Sequence, residues 1–302
     1  MNKLDISDFE KVVECDKLAV RGLRIFQDNE LVASWQPVPL ERQNQYSGTK
    51  SFTSTACAFA VEEGLFSLED SVLEHFSADA PEHPSENLQR MQMKHLITMS
   101  MGFKDPMLMG AQRPQMKEKD WVKYVLSAPV VHEPGTVFQY NNAGPYLLGM
   151  LVQRKSGMSL VDYLMPRLFE PLGIDRPEDE KDPLGNTFGA GGLMLNVDEF
   201  AKLGLLYLNE GKYNGKQLIS PSWVRSASAP HIQADQGDNE IGQHYGYLFW
   251  TMPNQAYRAD GKYGQYCIVL PRQKSVIAVN SMQIENEKAV LRAVVRHIIP
   301  LL

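Results

Sequence analysis

Short strand-like runs lie near both ends of this 302-residue chain, and helical patterns fill its middle. The early runs span residues 20–26 and 31–35, and the late runs span residues 246–252, 256–259, 265–270 and 275–280. Strands that are segregated from helices along a chain are typical of α+β folds, whereas alternating strands and helices form parallel sheets. The sequence therefore predicts an α+β fold, in which an antiparallel sheet flanked by helices is built from both ends of the chain and an all-helical region is inserted between them.

Apolar periodicity predicts the helices. They span residues 5–18, 51–64, 87–101, 120–126, 143–155, 159–169, 197–209 and 286–299. Gly64 and Gly157 follow two of these stretches, and glycine is the residue that most often ends a helix, because it adopts a left-handed backbone without strain. The long connection 104–119 is predicted as a loop.

Composition excludes several classes of function. The net charge is −6, which argues against nucleic acid as a partner, because nucleic-acid-binding domains carry a basic surface. No apolar run reaches the 18 residues that a membrane span needs, so no membrane contact is expected. Cys15, Cys57 and Cys267 are too few and too scattered for a disulfide framework. The seven histidines show no metal-ligand spacing, so neither a metal nor another cofactor is predicted.

Residues 1–6 carry charge and lack the apolar segment of a signal peptide. The sequence therefore predicts a cytoplasmic location. A leader removed before this sequence began would leave the same trace.

The tetrapeptide Ser47-Gly48-Thr49-Lys50 precedes the apolar-periodic stretch 51–64. At the start of a helix, residues three apart lie on one face, so a serine hydroxyl and a lysine amine would be neighbours. A desolvated lysine can take the proton of a serine nucleophile, and the helix N-terminus favours developing negative charge. A chain of this composition would contain one such pattern by chance, so the interpretation depends on its partners downstream.

Tyr140-Asn141-Asn142 stands after a Pro-Gly turn and just before a predicted helix. A phenolate near a lysine can act as a general base, and an asparagine amide can hold both a lysine and a substrate carbonyl. A half-buried Tyr140 and an Asn142 that merely caps the helix are the alternatives. Tyr207-Leu208-Asn209 matches the same pattern but lies within a helical stretch, where packing explains it.

Lys262-Tyr263-Gly264-Gln265 directly precedes a strand-like run. Gly264 would let the backbone approach a substrate, the Gln265 N–H could bind an oxyanion, and Lys262 would supply positive charge. Two other Lys-x-Gly matches, at Lys155 and Lys202, lie within or at the end of helices. Only Lys262 precedes a strand.

The order Ser47-x-x-Lys50, Tyr140-x-Asn142, Lys262-x-Gly264 resembles the serine β-lactamase and penicillin-binding-protein superfamily. It is most similar to the class C-like branch, which includes family VIII-type carboxylesterases, D-amino-acid peptidases and amide hydrolases. The segments 46–54, 62–70, 169–174 and 190–193 resemble the same superfamily, and the likeness spans about residues 20–285.

The resemblance implies a β-lactamase/transpeptidase-like fold of two parts. Residues 1–46 and 186–302 would form an α/β sandwich domain, and residues 47–185 a helical domain that carries Ser47, Lys50 and Tyr140. Ser47 would attack a carbonyl while Lys50 and Tyr140 manage its proton. The N–H groups of Ser47 and Gln265 would bind the oxyanion. Asn142, Lys262 and Gly264 would line the substrate site.

One departure from the superfamily bears on the substrate. The middle residue of the third motif is usually a hydroxyl residue that helps to bind a substrate carboxylate, and here it is Tyr263. We therefore expect a serine hydrolase that forms an acyl-enzyme and acts on a small ester or amide. A true β-lactamase or D-amino-acid peptidase is the alternative, and a non-catalytic binding protein on the same fold is a different class. The oligomeric state is left open.

Overall fold

A computed structural model describes residues 3–234 and 240–302 of the chain. Its strands are β1 Val20–Gln27, β2 Glu30–Trp35, β3 Gln43–Asn44, β4 Met194–Leu195, β5 Lys212–Tyr213, β6 Lys216–Gln217, β7 Ile232–Gln233, β8 His244–Tyr245, β9 Trp250–Thr251, β10 Tyr257–Gly261, β11 Gln265–Leu270 and β12 Ser275–Ser281. Its α-helices are α1 Ser7–Cys15, α2 Thr49–Glu62, α3 Val72–His75, α4 Glu86–Arg90, α5 Met93–Ile97, α6 Trp121–Leu126, α7 Ala143–Ser156, α8 Leu160–Leu164, α9 Val197–Leu208, α10 Pro221–Ser228 and α11 Ala289–His297. Short 3₁₀ turns and one π-helix, Met165–Phe169, complete the structure.

The largest element is an antiparallel sheet of eight strands in the order β2-β1-β12-β11-β10-β9-β8-β7. The N-terminal hairpin therefore joins the sheet beside the last strand, with Val20 opposite Ser281 and Gln27 opposite Ser275. The prediction of an α+β fold with an antiparallel sheet drawn from both ends is confirmed.

Alternate side chains of the central strands serve two separate cores, because successive residues of a strand point to opposite faces. Ile277 and Val279 pack toward α1 and α11, whereas Val276 and Ala278 face α9. Helix α9 lies very close to the sheet. A Cβ at Gly204 would lie 2.6 Å from a Val276 methyl group, so the Lys-x-Gly match in this helix serves packing.

The helices of the middle region surround α2 and α7, which pack against each other. The apolar cluster that holds them also includes Phe200, Leu203 and Ala259 from later in the chain. The proposed boundary at residues 47 and 185 stays a prediction. In the described part of the chain, no helix combines the length and the apolar character needed to cross a membrane.

Two predicted elements differ from the structure. The predicted helix 87–101 is divided into α4 and α5, because the chain is extended at Gln92, which bridges to Ser71. The predicted strand 246–252 is reduced to β9. Its apolar residue Leu248 lies in a buried loop with a positive φ of 60° and accepts a hydrogen bond from Ser51.

Candidate active site

Ser47 lies in a 3₁₀ turn, Tyr46–Gly48, that leads directly into α2. The turn forms because Gly48 N–H donates to the Gln45 carbonyl, and Tyr46 takes a left-handed φ of 47°. A left-handed backbone at a tyrosine is strained, and such strain is concentrated at functional positions. The turn presents a partly buried Ser47 hydroxyl at the N-terminus of a 14-residue helix.

Lys50 is only 1% exposed, and its Nζ lies 2.8 Å from Ser47 Oγ. The same nitrogen donates to the Ala190 carbonyl oxygen at 2.6 Å, which fixes the side chain. Burial lowers the pKa of Lys50 well below that of an ordinary lysine; the positive charge of Arg113 adds to this effect, and Asp260 and Glu180 oppose it. A neutral amine has a lone pair, so Lys50 can accept the Ser47 proton.

The Tyr140 ring lies between the lysine and an aromatic wall. Lys50 Nζ is 5.1 Å from the ring centre, and Trp250 stacks on the ring at 5.6 Å. Burial raises the pKa of the Tyr140 phenol, and its hydrogen bond with Ser47 only partly opposes this rise. The phenol therefore keeps its proton at neutral pH. A protonated phenol can donate a proton, and the part that Tyr140 takes in moving the Ser47 proton stays a prediction.

Asn142 is 7% exposed and lines the cavity next to Tyr140. Its Nδ2 donates to the Leu108 carbonyl at 2.8 Å, and its Oδ1 is buried without a partner among the described residues. Asn142 is the N-cap residue of α7, as the alternative had it, but its side chain makes no capping hydrogen bond. Asn141 Oδ1 accepts from Ala143 N–H at 2.9 Å instead. The role of Asn142 in substrate binding stays a prediction.

Residues 262–264 of the third motif form the turn between β10 and β11, so the motif directly precedes a strand as predicted. Lys262 lines the cavity but is exposed, with Nζ 4.7 Å from the centre of the Tyr263 ring. Gly264 takes a φ of 87°, and a Cβ there would lie 3.0 Å from the Ser281 Cβ.

The side chain of Gln265 is held inside the protein by hydrogen bonds. It is fully buried, and its Oε1 accepts from Gln43 at 2.7 Å and from Asn280 at 2.9 Å. Among the described residues that line the cavity, neither Gly264 nor Gln265 is present. Both β10 and β11 contact the Tyr46–Gly48 turn. The oxyanion role of Gln265 and the substrate role of Gly264 stay predictions.

The sequence did not predict that the C-terminal end of β10, Asp260 and Gly261, lines the cavity. Gly261 passes so close to the nucleophile turn that a Cβ there would lie 2.1 Å from the Gln45 carbonyl oxygen. Asp260 faces the cavity and accepts from Arg258 Nε at 2.8 Å. Burial raises the pKa of Asp260, and the Arg258 guanidinium opposes this rise. The signal was present in the two-residue spacing of Arg258 and Asp260, which places both side chains on one face of a strand.

Gly261→Ala is expected to destabilise the protein by about 1–3 kcal/mol, because the added methyl group has no space against the Gln45 carbonyl. Thermal or urea unfolding measures this loss. Gly191→Ala is the matched control, since its Cβ would lie 3.5 Å from the Tyr46 carbonyl oxygen, an ordinary contact. Equal stability of the two variants would contradict the steric argument.

Ser47, Tyr140 and Asn142 border a cavity of about 810 Å³. Its wall contains six aromatic side chains: Tyr46, Tyr140, Phe188, Trp250, Tyr263 and Tyr266. Charged groups from several segments also reach it: Arg113, Glu180, Arg258, Asp260, Lys262, Glu287 and Lys288. A cavity of this size accepts a small organic molecule, with apolar surfaces for its body and a few polar groups for orientation.

Comparison with known proteins agrees with this geometry. A 6-aminohexanoate-dimer hydrolase of Paenarthrobacter ureafaciens is 24% identical over 308 residues, which cover 89% of this chain and 77% of that protein. A lovastatin esterase of Penicillium rubens is 31% identical over 150 residues, which cover 42% of this chain and 37% of the esterase. A penicillin-binding protein from Bacillus halodurans shares the fold, with a TM-score of 0.74 at 20% identity over 95% of this chain and 98% of that one.

The model of the Beta-lactamase family matches residues 22–297 of the chain. The match includes every residue assigned above to the nucleophile turn, the Tyr140 loop and β10. The family and the similar proteins with hydrolase and esterase names support a hydrolytic enzyme. Because the match spans most of its length, this protein belongs to the Beta-lactamase family, within the serine β-lactamase and penicillin-binding-protein superfamily.

Proposed function

We propose that the protein is a serine hydrolase that forms an acyl-enzyme on Ser47 and hydrolyses a small ester or amide. The observation that carries this proposal is the 2.8 Å approach of a buried Lys50 amine to the Ser47 hydroxyl at the mouth of the cavity. A serine is a weak nucleophile until an adjacent base takes its proton. The same distance argues against a non-catalytic binding protein, for which the two groups need not meet.

In the first half-reaction, Ser47 Oγ forms a bond to the substrate carbonyl carbon, and the Ser47 proton moves to the neutral Lys50 amine. The resulting oxyanion collapses and breaks the bond to the alcohol or amine. Tyr140 can donate its proton to that leaving group and regain one from Lys50, because the phenol is protonated and lies beside both groups. Water then attacks the acyl-enzyme by the reverse route and releases the acid.

The oxyanion needs two N–H donors close to Ser47. We propose the N–H of Ser47 itself and the backbone at the end of β10, where Gly261 allows the strand to approach the nucleophile turn. The unpartnered Oδ1 of Asn142 would accept a hydrogen bond from a substrate N–H or from Lys50. Lys262 would contribute positive charge at the cavity mouth.

Esters and amides fit the cavity better than β-lactams. A β-lactam carries a carboxylate, and the hydroxyl that commonly binds it in this superfamily is replaced by Tyr263, whose ring stands against Tyr46 at 5.1 Å. Asp260 adds a carboxylate to the wall beside β10. The names of two similar proteins, a lovastatin esterase and a 6-aminohexanoate-dimer hydrolase, are compatible with an ester or amide substrate.

We expect kcat/KM for p-nitrophenyl butyrate to exceed that for nitrocefin by at least about tenfold, since a missing polar contact typically costs an enzyme that factor or more. The matching p-nitroanilide tests amide cleavage in the same assay. Ser47→Ala is the control and should lose all three activities. Equal or faster turnover of nitrocefin would reverse the order and identify a β-lactamase.

A further inference from the structure

Residues 104–119, termed here the covering segment, form part of the cavity wall and contain one short 3₁₀ turn, Arg113–Gln115. Four of these residues line the cavity: Met109, Gly110, Ala111 and Arg113. The covering segment therefore forms part of the wall that a bound acyl group would contact.

The loop that carries Tyr140 and the two asparagines is hydrogen-bonded to Met107 and Leu108 of the covering segment. Met107 N–H donates to Asn141 Oδ1 at 3.0 Å, and Asn142 Nδ2 donates to the Leu108 carbonyl at 2.8 Å. The Asn142 N–H adds a third bond, to the Met107 carbonyl at 3.2 Å. A displacement of the covering segment would therefore also displace Tyr140, which directly precedes these two asparagines in the chain.

A second attachment of the covering segment is the ion pair between Arg113 and Glu180. Arg113 Nη2 donates to both carboxylate oxygens of Glu180, at 2.9 and 3.2 Å, and Arg113 Nη1 donates to the Leu108 carbonyl at 2.8 Å. The guanidinium lies 4.3 Å from the centre of the Phe188 ring. Its side chain is 17% exposed. The planar guanidinium thus joins two different partners, the Glu180 carboxylate through Nη2 and the Leu108 carbonyl through Nη1.

Glu180 belongs to the segment that holds the lysine. The Phe188 N–H donates to the Glu180 carbonyl at 2.8 Å, and two residues later the Ala190 carbonyl accepts from Lys50. Gly192 takes a φ of 90° against Glu180, where a Cβ would lie 2.1 Å from the Glu180 Cβ. Glu180 is thus a rigid anchor, and it connects Arg113 to the backbone that positions Lys50.

We propose that Arg113 is a positioning and specificity-determining residue, whose ion pair with Glu180 holds the covering segment in the cavity wall and limits the size of the acyl group. This inference rests on the proposed acyl-enzyme function of Ser47. The guanidinium acts through the covering segment and through Lys50, and it takes no part in bond making or breaking.

The charges of Arg113 and Glu180 also affect the protonation of Lys50. The charged and titratable groups that act on Lys50 are Arg113, Glu180 and Asp260, with the Tyr140 ring beside its amine. The positive charge of Arg113 favours the neutral form of Lys50, and the negative charge of Glu180 favours the protonated form. Removing one member of the pair therefore moves the pKa of Lys50 in a direction that depends on which member is lost.

Three variants separate these effects in the full-length protein. Arg113→Met removes the ion pair and the positive charge, and Glu180→Gln removes the pair and the negative charge. Arg113→Lys keeps the charge without the planar fork that reaches both Glu180 and the Leu108 carbonyl. Arg225→Met is the matched control. Arg225, on α10, forms an exposed ion pair with Glu210 and does not line this cavity. Thermal unfolding confirms that each variant is folded.

We expect all three variants to lose selectivity between p-nitrophenyl acetate and p-nitrophenyl decanoate and to lose up to about 10²-fold in kcat/KM for the acetate, the cost of slight misplacement of reacting groups. The acidic limb of the kcat/KM profile should move to higher pH in Arg113→Met and to lower pH in Glu180→Gln. A merely structural role would not produce shifts of opposite sign.

Wild-type chain-length selectivity in all three variants, or an acidic limb that stays in place in both charge variants, would overturn the role of Arg113. If Arg113→Met does not fold, the selectivity of Arg113→Lys and the limb of Glu180→Gln decide the question. Ester hydrolysis that survives Ser47→Ala would instead overturn the proposed function, so the two failures are distinguishable.

Discussion

Replacing Ser47 by alanine is expected to lower kcat for ester hydrolysis by about 10³-fold or more, because loss of the nucleophile removes the covalent route and leaves only binding and oxyanion stabilisation. Lys50 would remain buried beside an empty position with no hydroxyl to activate. The effect belongs in kcat, since the cavity wall that binds the substrate is unchanged.

The measurement combines steady-state hydrolysis of p-nitrophenyl butyrate with mass spectrometry after treatment with a fluorophosphonate. Wild-type protein should gain one adduct on the peptide that contains Ser47, and Ser47→Ala should gain none. Ser222→Ala, which changes an exposed serine on α10, should be labelled like the wild type. Labelling at another serine, or unchanged hydrolysis by Ser47→Ala, would refute the assignment.

Lys50→Met is expected to cause a similar loss of kcat, of about 10³-fold or more, because it removes the base and keeps a side chain of comparable length. In the wild type, kcat/KM should fall as the pH falls through the depressed pKa of Lys50, since the protonated amine cannot accept the Ser47 proton. A wild-type acidic limb that persists in the residual activity of Lys50→Met would assign that limb to another group.

Lys50 also makes stability depend on pH with a predictable sign. Burial lowers its pKa in the folded state, so between that value and the ordinary lysine pKa the unfolded chain binds one more proton than the folded protein. The free energy of unfolding should therefore rise with pH in this window, by up to about 1.4 kcal/mol per pH unit from this group.

Lys50→Met should lose that contribution. Urea unfolding of both proteins between pH 8 and pH 10 measures the difference, which should grow in favour of the wild type as the pH rises. Lys216→Met, at an exposed lysine on β6, controls for the loss of one positive charge. A difference between wild type and Lys50→Met that is constant across this range would show that the folded protein holds Lys50 protonated.

Local spacing explains why the first motif could be predicted. Residues three apart at a helix start meet without help from distant parts of the chain, so Ser47 and Lys50 are neighbours as soon as α2 forms. The antiparallel sheet was predictable for a different reason, because the strand-like runs lie at both ends of the chain and do not alternate with helices. The Tyr140 loop was placed by its Pro-Gly turn and by its order in the family.

The third motif shows where local pattern fails. Lys262-Tyr263-Gly264 matched in order, but the strand that borders the nucleophile turn extends two residues beyond the predicted end, to Gly261. A charged residue such as Asp260 is typical of the end of a strand. Here the strand continues, because Arg258 on the same face forms an ion pair with Asp260. The protonated state of Tyr140 was equally hidden, since it depends on burial by Trp250 and Tyr245 from far along the chain.

Pairing of the first strand, β1, with the last strand, β12, makes folding depend on the order of synthesis. β1 has β2 as one neighbour from the start, but its other neighbour, β12, is made about 250 residues later. At ribosomal rates this delay is roughly 12–50 s. During that interval the early hairpin presents an unpaired apolar edge, the kind of surface that aggregates or recruits chaperones. The yield of active enzyme from cells should therefore respond to growth temperature and chaperone supply more than to the stability of the finished fold.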